Sequence, residues 1–473
     1  MNRMKGSNML QTELLIDRIM KEFEAVGMAV AIIDKSGNTP YEKYFGFSDL
    51  ESKKRLNEHT IFGLASVTKS FTALSIMQLE EKGLLRVTDP VSRYIPEFTG
   101  NGPVPVTIDH FLSHSGGYFP LPRILIGEVA KELSLDETVC GDFAYNCRIA
   151  EEGARQVAAR LNAQTFENGG LNGTPGQHFS YCNDGYGLLS EIIRRTGPEE
   201  SYADYVTSHI LRPLHMERSF CDFIRPSQDP NAATLYKRTG KAMTGSRDYH
   251  DNAFVLNGGG AMKSTLHDLK NYVTMYLNKG KGIDGKQILS EYGIDEMCRP
   301  RQPYLENGSY GYGLYSMQFD NLTVYGHGGS LPGVSSHIAW SYEAEAGVIV
   351  LCNTSGVPVS LISDALFRAY SGRSPLVSRD LQNKTCWDKN TLLEASGTYE
   401  SGEGTTIEIL VSEDGTPKIK VDGILREFIM NGPCTGFVRT PFTDTYLKLH
   451  RREGRGIYAI TYRSRMIPRV SLQ

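Results

Sequence analysis

The stretch FGLASVTKSFTAL, residues 62–74, sets a serine three positions ahead of a lysine at the head of an apolar, helix-forming run. If Ser66 opens a helix, Lys69 lies on the same face one turn on. A lysine buried beside a hydroxyl is costly unless it takes part in chemistry, and the chemistry open to it is removal of the serine proton to make a nucleophile. The alternative is an N-cap serine followed by a solvated first-turn lysine. No other lysine in the chain has a serine three residues before it. The run from Ser66 to Lys82 is apolar on nearly all sides, with Phe71, Leu74, Met77 and Leu79, and Gly83 stops it. That pattern predicts a buried helix, and a nucleophile at its positive end gains from the helix dipole.

Outward from this helix the chain divides by period. LLIDRIMKEF (14–23) is helical; MAVAIIDKSGN and YEKYFGFSD then read as two strands around a Lys-Ser-Gly-Asn turn. STLHDLKNYVTMYLNKG (264–280) is a further helix, with Thr265 and Asp268 spaced as a capping box. NLTVYGHGG, VSSHIAWSY and AGVIVLCN, from residue 321 on, read as three strands that join the N-terminal hairpin in one antiparallel sheet covered by helices. After about residue 375 a polar stretch, SGRSPLVSRDLQNK, leads into segments of period two with Asp-Gly and Glu-Gly turns. The expected organisation is α+β: a catalytic domain over 1–375, a linker over 376–390 and a small all-β barrel or sandwich over 391–473. A length of 473 residues agrees with two domains.

Composition narrows the function classes. With 40% hydrophobic and 22% charged residues and a net charge of −4, the chain is an ordinary globular protein without the basic patch of a nucleic-acid binder. The N-terminus lacks the apolar core of a secretory signal, and runs such as GVIVLC (347–352) are too short to span a bilayer. Eight cysteines are scattered with no CxxC pair. The expectation is a reduced, cytoplasmic protein with no metal site and no cofactor; Cys140 and Cys147 are the one pair near enough to question as a disulfide.

A serine nucleophile also requires a proton donor for the leaving atom and donors for the oxyanion. Tyr181-Cys182-Asn183 lies on a loop entering a helix. A tyrosine is a poor base unless cations surround it, and Lys69 is one such cation; a Lys69/Tyr181 pair would deprotonate Ser66 and then protonate the leaving group. The alternative for Tyr181 is a loop residue that covers the core. Tyr276 to Asn278 has the same spacing but lies mid-helix, so it reads as a decoy. His327-Gly328-Gly329 sits at a strand end, where small residues let a substrate lie along the edge, and the backbone N–H groups of Ser330 and Ser66 suit an oxyanion hole. The alternative is a hairpin glycine pair beside a surface histidine; His114 to Gly116 repeats the spacing.

The order Ser-x-x-Lys, Tyr-x-Asn, His-x-Gly resembles the serine β-lactamase and penicillin-binding-protein superfamily, in its class C β-lactamase and S12-peptidase branch. The resemblance covers roughly residues 20–370. It includes GFSDLESKKRLNEHTIFGLASVTKSFTALSIMQLEEKGLLRVTDPVSRYIPEF, TIDHFLSHSGGY, PGQHFSYCNDGYGLLSEII, ILRPLHMERS, GGGAMKSTLHDL and GHGGSLPGVSS, in the family's order. It implies an α/β part that carries the antiparallel sheet and an all-helical part that covers the site. It also implies acylation of Ser66, with Lys69 and Tyr181 as the acid/base pair. Asn183 would hold a substrate amide or the Lys69 amine, with His327 flanking from the sheet edge.

The familiar third motif of β-lactamases is Lys-Thr-Gly. Here His327 and Gly328 replace its first two residues, with only a partly charged imidazole and no hydroxyl. Carboxylate and β-lactam binding should therefore be weaker, and the expectation is a D-amino-acid peptidase, amidase or esterase acting on a small or short peptide substrate. The alternatives are a true β-lactamase or D,D-carboxypeptidase, an acyltransferase and a catalytically silent binder. His-x-Gly variants in the family include aminopeptidases with extra β-barrel domains. The C-terminal domain is similar in kind; it would shape the site or form a homodimer.

Overall fold

The computed structural model describes all residues except 1–5, 101, 136–142, 166–169, 240–241, 250–253, 320, 377–385, 413–414 and 471–473. Its centre is a nine-stranded antiparallel sheet in which the first and last strands of the catalytic part meet. Gly27–Asp34 pairs with Ala346–Cys352, with Val30 opposite Val350. Side chains of Gly27–Asp34 alternate between faces, as the period of a strand demands. Met28, Val30 and Ile32 pack with Ile16 and Ile19 of the helix Gly6–Glu22 and with Ile362 and Leu366 of the helix Val359–Tyr370. Ala29, Ala31 and Ile33 face the main core with Phe71 and Tyr272. Both faces are covered, so neither strand shows the half-polar alternation of an exposed sheet.

The helix Thr68–Glu81 runs through the core with every residue from Thr68 to Leu79 buried. It begins two residues later than its pattern implies, because Ala65–Val67 form a 3-10 turn ahead of it. Thr265 caps the helix Leu266–Leu277 by accepting from the Asp268 N–H at 3.1 Å. The Asp268 carboxylate does not complete the box; it accepts from the Ser219 hydroxyl at 2.7 Å and the Arg218 N–H at 2.8 Å. Three short strands absent from the sequence reading, Gln302–Tyr304, Gly308–Tyr310 and Tyr315–Phe319, extend the sheet beyond Leu322–Leu331. At three to five residues each they are too short to declare a period.

The C-terminal part opens with the helix Lys389–Ala395 and continues as eight strands, each bonded to its neighbour in sequence. Tyr399 of the first strand bridges Arg469 just past the last, which nearly closes a barrel around Trp387, Tyr399, Ile409 and Leu447. Residues 377–385 of the expected linker lie outside the described residues, as does Cys140; Cys147 is a free thiol. The barrel docks on the helical part. Met466 packs on Phe119, and the Tyr458 hydroxyl donates to the Asn172 carbonyl at 2.5 Å. Among the described residues no helix is long and apolar enough to cross a membrane.

Ile349 is fully buried between the sheet and the helices on the site-bearing face. Ile349→Ala should lower the unfolding free energy by about 3 kcal/mol, read as a shift of the urea midpoint with unchanged slope.

Candidate active site

The turn before the central helix is held from three sides. Leu64 donates its N–H to the Met262 carbonyl at 2.9 Å, the Ser336 hydroxyl donates to the Leu64 carbonyl at 2.7 Å, and the Thr68 hydroxyl donates to the Ala65 carbonyl at 2.6 Å. Together these bonds force Ala65 to φ 48°, a left-handed backbone that non-glycine residues rarely adopt. Such strain persists only where the surroundings over-determine it, and here it presents Ser66, half-buried, at the start of the helix.

Lys69 is completely buried, and its Nζ has three oxygen neighbours: the Gly259 carbonyl at 2.7 Å, Asn183 Oδ1 at 2.8 Å and Ser66 Oγ at 3.2 Å. Burial, helped by the Arg465 charge, pushes the amine well below its ordinary pKa. A neutral amine has two N–H donors and one lone pair. In the neutral form both carbonyl oxygens, which can only accept, take the two donors and leave the lone pair towards the Ser66 hydroxyl; in the ammonium form the third N–H donates to Ser66 Oγ. The solvated N-cap arrangement that the tetrapeptide also allowed is absent: Val67 is the N-cap, no side chain caps the helix start, and Lys69 is fully buried.

Tyr181 sits beneath the Lys69 amine and the Arg465 guanidinium, with Lys69 Nζ 4.7 Å and Arg465 Cζ 4.4 Å from its ring centroid. Its hydroxyl is buried, points at Ser66 and makes no hydrogen bond within ordinary geometry. Burial outweighs the Arg465 charge and raises its pKa, so the resting side chain is a phenol. Tyr276 of the decoy triplet is buried mid-helix and stacks on Trp340 with ring centroids 4.2 Å apart.

His327 lies beside Tyr181, with ring centroids 6.1 Å apart. Its Nδ1 is 2.6 Å from the Gly328 carbonyl and so donates; its Nε2 therefore accepts from the Tyr310 hydroxyl at 2.9 Å. Burial and the nearby Lys69 push His327 down to about 3. The expectation of a partly charged imidazole is corrected: a residue read as sitting at an open strand end is enclosed by Tyr310, and it is neutral. Gly329 presses against the nucleophile turn; a Cβ there would lie 2.1 Å from the Leu64 carbonyl oxygen and 3.0 Å from the Ser66 nitrogen. Ser66, Tyr181, His327, Gly328, Gly329 and Ser330 share one cavity of about 470 Å³.

Three residues escaped the sequence reading. His114, of the triplet set aside as weak, stacks against Tyr181 at 4.1 Å between ring centroids and accepts the Cys182 N–H at 3.1 Å. The other two come from the barrel. Glu403 accepts from Asn183 Nδ2 at 2.7 Å and from Arg465 Nε at 2.8 Å. It thereby fixes which end of the Asn183 amide faces Lys69. The turn that carries Arg465 is pinned where the Tyr181 N–H donates to the Ser464 carbonyl at 2.8 Å and the Met466 N–H to the Ser180 hydroxyl at 3.2 Å. Neither Glu403 nor Arg465 lies in a motif; pairing across the domains was the signal, and a single sequence does not carry it.

With this geometry in view, the family model described as Beta-lactamase matches residues 14–372. The chain belongs to the beta-lactamase family. Protein flp of Staphylococcus aureus is 25% identical over 359 residues, which is 74% of this chain and 64% of that protein, so the match spans just under two thirds of that relative. In fold, the chain is similar to an octameric penicillin-binding protein homologue from Pyrococcus abyssi, with TM-score 0.65 and 24% identity over 97% of this chain and 99% of that one. It is also similar to a D-stereospecific amidohydrolase from Streptomyces sp., with TM-score 0.58 and 19% identity over 77% and 98% of the two chains. The family domain ends near residue 372, and the barrel follows it.

Gly329→Ala should displace the Ser66 turn, since its Cβ meets backbone rather than a movable side chain. The expected result is a fall of at least about 100-fold in the rate of fluorophosphonate labelling of Ser66, with the barrel's near-ultraviolet circular dichroism retained.

Proposed function

We propose that the protein is a serine hydrolase that acts through a Ser66 acyl-enzyme on amides or esters of small D-amino-acid or short peptide substrates. The observation that carries this reading is the Lys69 amine, its pKa lowered by burial, held by the Gly259 and Asn183 oxygens 3.2 Å from Ser66 Oγ. Ser66 Oγ attacks the substrate carbonyl carbon while its proton passes to Lys69 Nζ. The N–H groups of Ser66 and Ser330 receive the oxyanion. As the tetrahedral intermediate collapses, the scissile C–N or C–O bond breaks and the Tyr181 phenol protonates the leaving group. Lys69 and Arg465 stabilise the brief phenolate, and the Lys69 ammonium returns the proton. Water then repeats the cycle on the acyl-enzyme.

The preference for peptides and amides over β-lactams is supported by the third motif. His327 is neutral with both ring nitrogens committed, and Gly328 has no hydroxyl. The cations that line the cavity are Arg463 and Arg465, both from the barrel turn, and Glu403 offsets the charge of Arg465. The fold shared with a D-stereospecific amidohydrolase supports the choice of D-substrates.

Intact-protein mass spectrometry with p-nitrophenyl esters, D-alanine p-nitroanilide and benzylpenicillin tests this reading. Wild-type protein should turn over esters or D-amides without a lasting adduct, Ser66→Ala should lose all turnover, and Tyr181→Phe should keep a small fraction. Equal ester turnover by Ser66→Ala and wild type excludes the mechanism.

The pH profile tests the base separately. Neutral Lys69 is the active form, so kcat/KM falls as pH drops through its lowered pKa. The Glu403 charge raises that pKa and the Arg465 charge lowers it. Glu403→Gln should therefore move the acid limb of kcat/KM to lower pH, and Arg465→Met should move it to higher pH. Shifts of the same sign would contradict Lys69 as base.

A further inference from the structure

The wall of the cavity away from Lys69 carries a second set of polar groups that the acylation chemistry does not use. The strand Leu322–Leu331 continues past the start of its neighbour, since Tyr315 pairs with Gly326. Residues 327–330 are therefore a free edge on that side, and the cavity passes around it towards the helix Val359–Tyr370. There Asp364 lines the cavity, half-buried, with no hydrogen bond or ion pair to any described residue. Arg368, one turn on in the same helix, acts on it through charge alone.

From the sheet Tyr315 faces Asp364, and His337 lies beside Tyr315. Burial, and then the Asp364 charge, pushes Tyr315 well above its ordinary value, and burial holds His337 down to about 4, so both are neutral. The Tyr315 hydroxyl and His337 Nε2 are hydrogen-bonded to each other. His337 Nδ1 is buried with no partner, and the ring lines the same cavity. When Nε2–H donates to Tyr315, Nδ1 holds an unused lone pair. This end of the cavity therefore offers a carboxylate beside the ring of the Tyr315–His337 pair. The faces of Tyr304, Tyr310 and Tyr315 form its wall. A cation with N–H donors satisfies all of these at once; an anion satisfies none.

We propose that this end of the cavity is an ammonium subsite, in which Asp364 binds a protonated primary amine of the substrate. The inference rests on Ser66 being the acylated residue, and it narrows the substrates to those with an amine on the acyl side of the scissile bond. A free α-amine and a distal amine share this chemistry. The acyl chain length that places the charge on Asp364 separates them.

The test compares kcat/KM of the wild type for D-alanine p-nitroanilide, its N-acetyl derivative and 6-aminohexanoic acid p-nitroanilide. Free amine should be favoured over the acetylated compound by at least about tenfold, the usual worth of a charge pair in a partly buried site. Preference for D-alanine over the aminohexanoyl compound assigns the α-amine; the reverse assigns a distal one. Asp364→Asn should collapse the ratio of free to acetylated substrate, and Asp364→Lys should invert it towards an N-succinyl substrate. Burial pushes the Asp364 carboxyl up to about 7, and only the carboxylate attracts the amine. The wild-type preference should therefore grow from about pH 6 to about pH 7.5, where an α-amine is still largely protonated. Equal turnover of free and acetylated substrates by the wild type overturns the subsite, with no variant required to fold. A ratio preserved in Asp364→Asn overturns it as well. If neither anilide, ester nor fluorophosphonate acylates Ser66, the hydrolase reading fails, and the subsite with it.

Discussion

A lysine side chain without solvent is the constraint around which this protein is arranged. The Lys69 amine is stripped of water, and the compensation is two amide oxygens, one from the Gly259 backbone and one from Asn183. Burial and the Arg465 charge lower its pKa, and the two acceptors fix where its nitrogen sits beside Ser66 Oγ. Everything nearby follows from holding that geometry. The central helix is buried along its length, Ala65 is held in a strained conformation, and Gly329 is flattened against the nucleophile turn. A looser turn would leave Ser66 free to rotate away from the one group that can take its proton.

The barrel is part of this electrostatic arrangement. Glu403 orients the Asn183 amide, so a residue from outside the family domain sets which atom meets Lys69. Arg465 stacks on Tyr181 and pairs with Glu403, which places one cation and one anion in opposition beside Lys69 and Tyr181. Their effects on Lys69 have opposite sign, so the pair adjusts the base while adding little net charge. The domain that the sequence offered as shaping the site or forming a homodimer contributes Arg463, Ser464 and Arg465 to the wall of the cavity.

Much of the architecture was legible because it is periodic. The N-terminal hairpin, the three strands after residue 321 and the buried helix each repeat a burial pattern over five or more residues, and the eight-stranded barrel announces itself through Asp-Gly turns. Short tyrosine-bearing strands between 302 and 319 have no such length, yet they supply Tyr310 and Tyr315, which enclose His327 and hydrogen-bond His337. That enclosure is why an imidazole expected to titrate is neutral. His114 was passed over because a His-x-Gly triplet carries no information about what will stack on it.

From the order of Ser66-x-x-Lys69, Tyr181-x-Asn183 and His327-x-Gly329, the sequence alone determined the fold family and which side chains the fold would gather. Such motifs are local, and local spacing survives in one dimension. Only the tertiary structure decided the protonation of Lys69, Tyr181 and His327, because desolvation depends on atoms hundreds of residues away. It alone brought Arg465 and Asp364 into the cavity of Ser66 and Glu403 against Asn183, because a charge has no periodicity to betray where the chain will fold it.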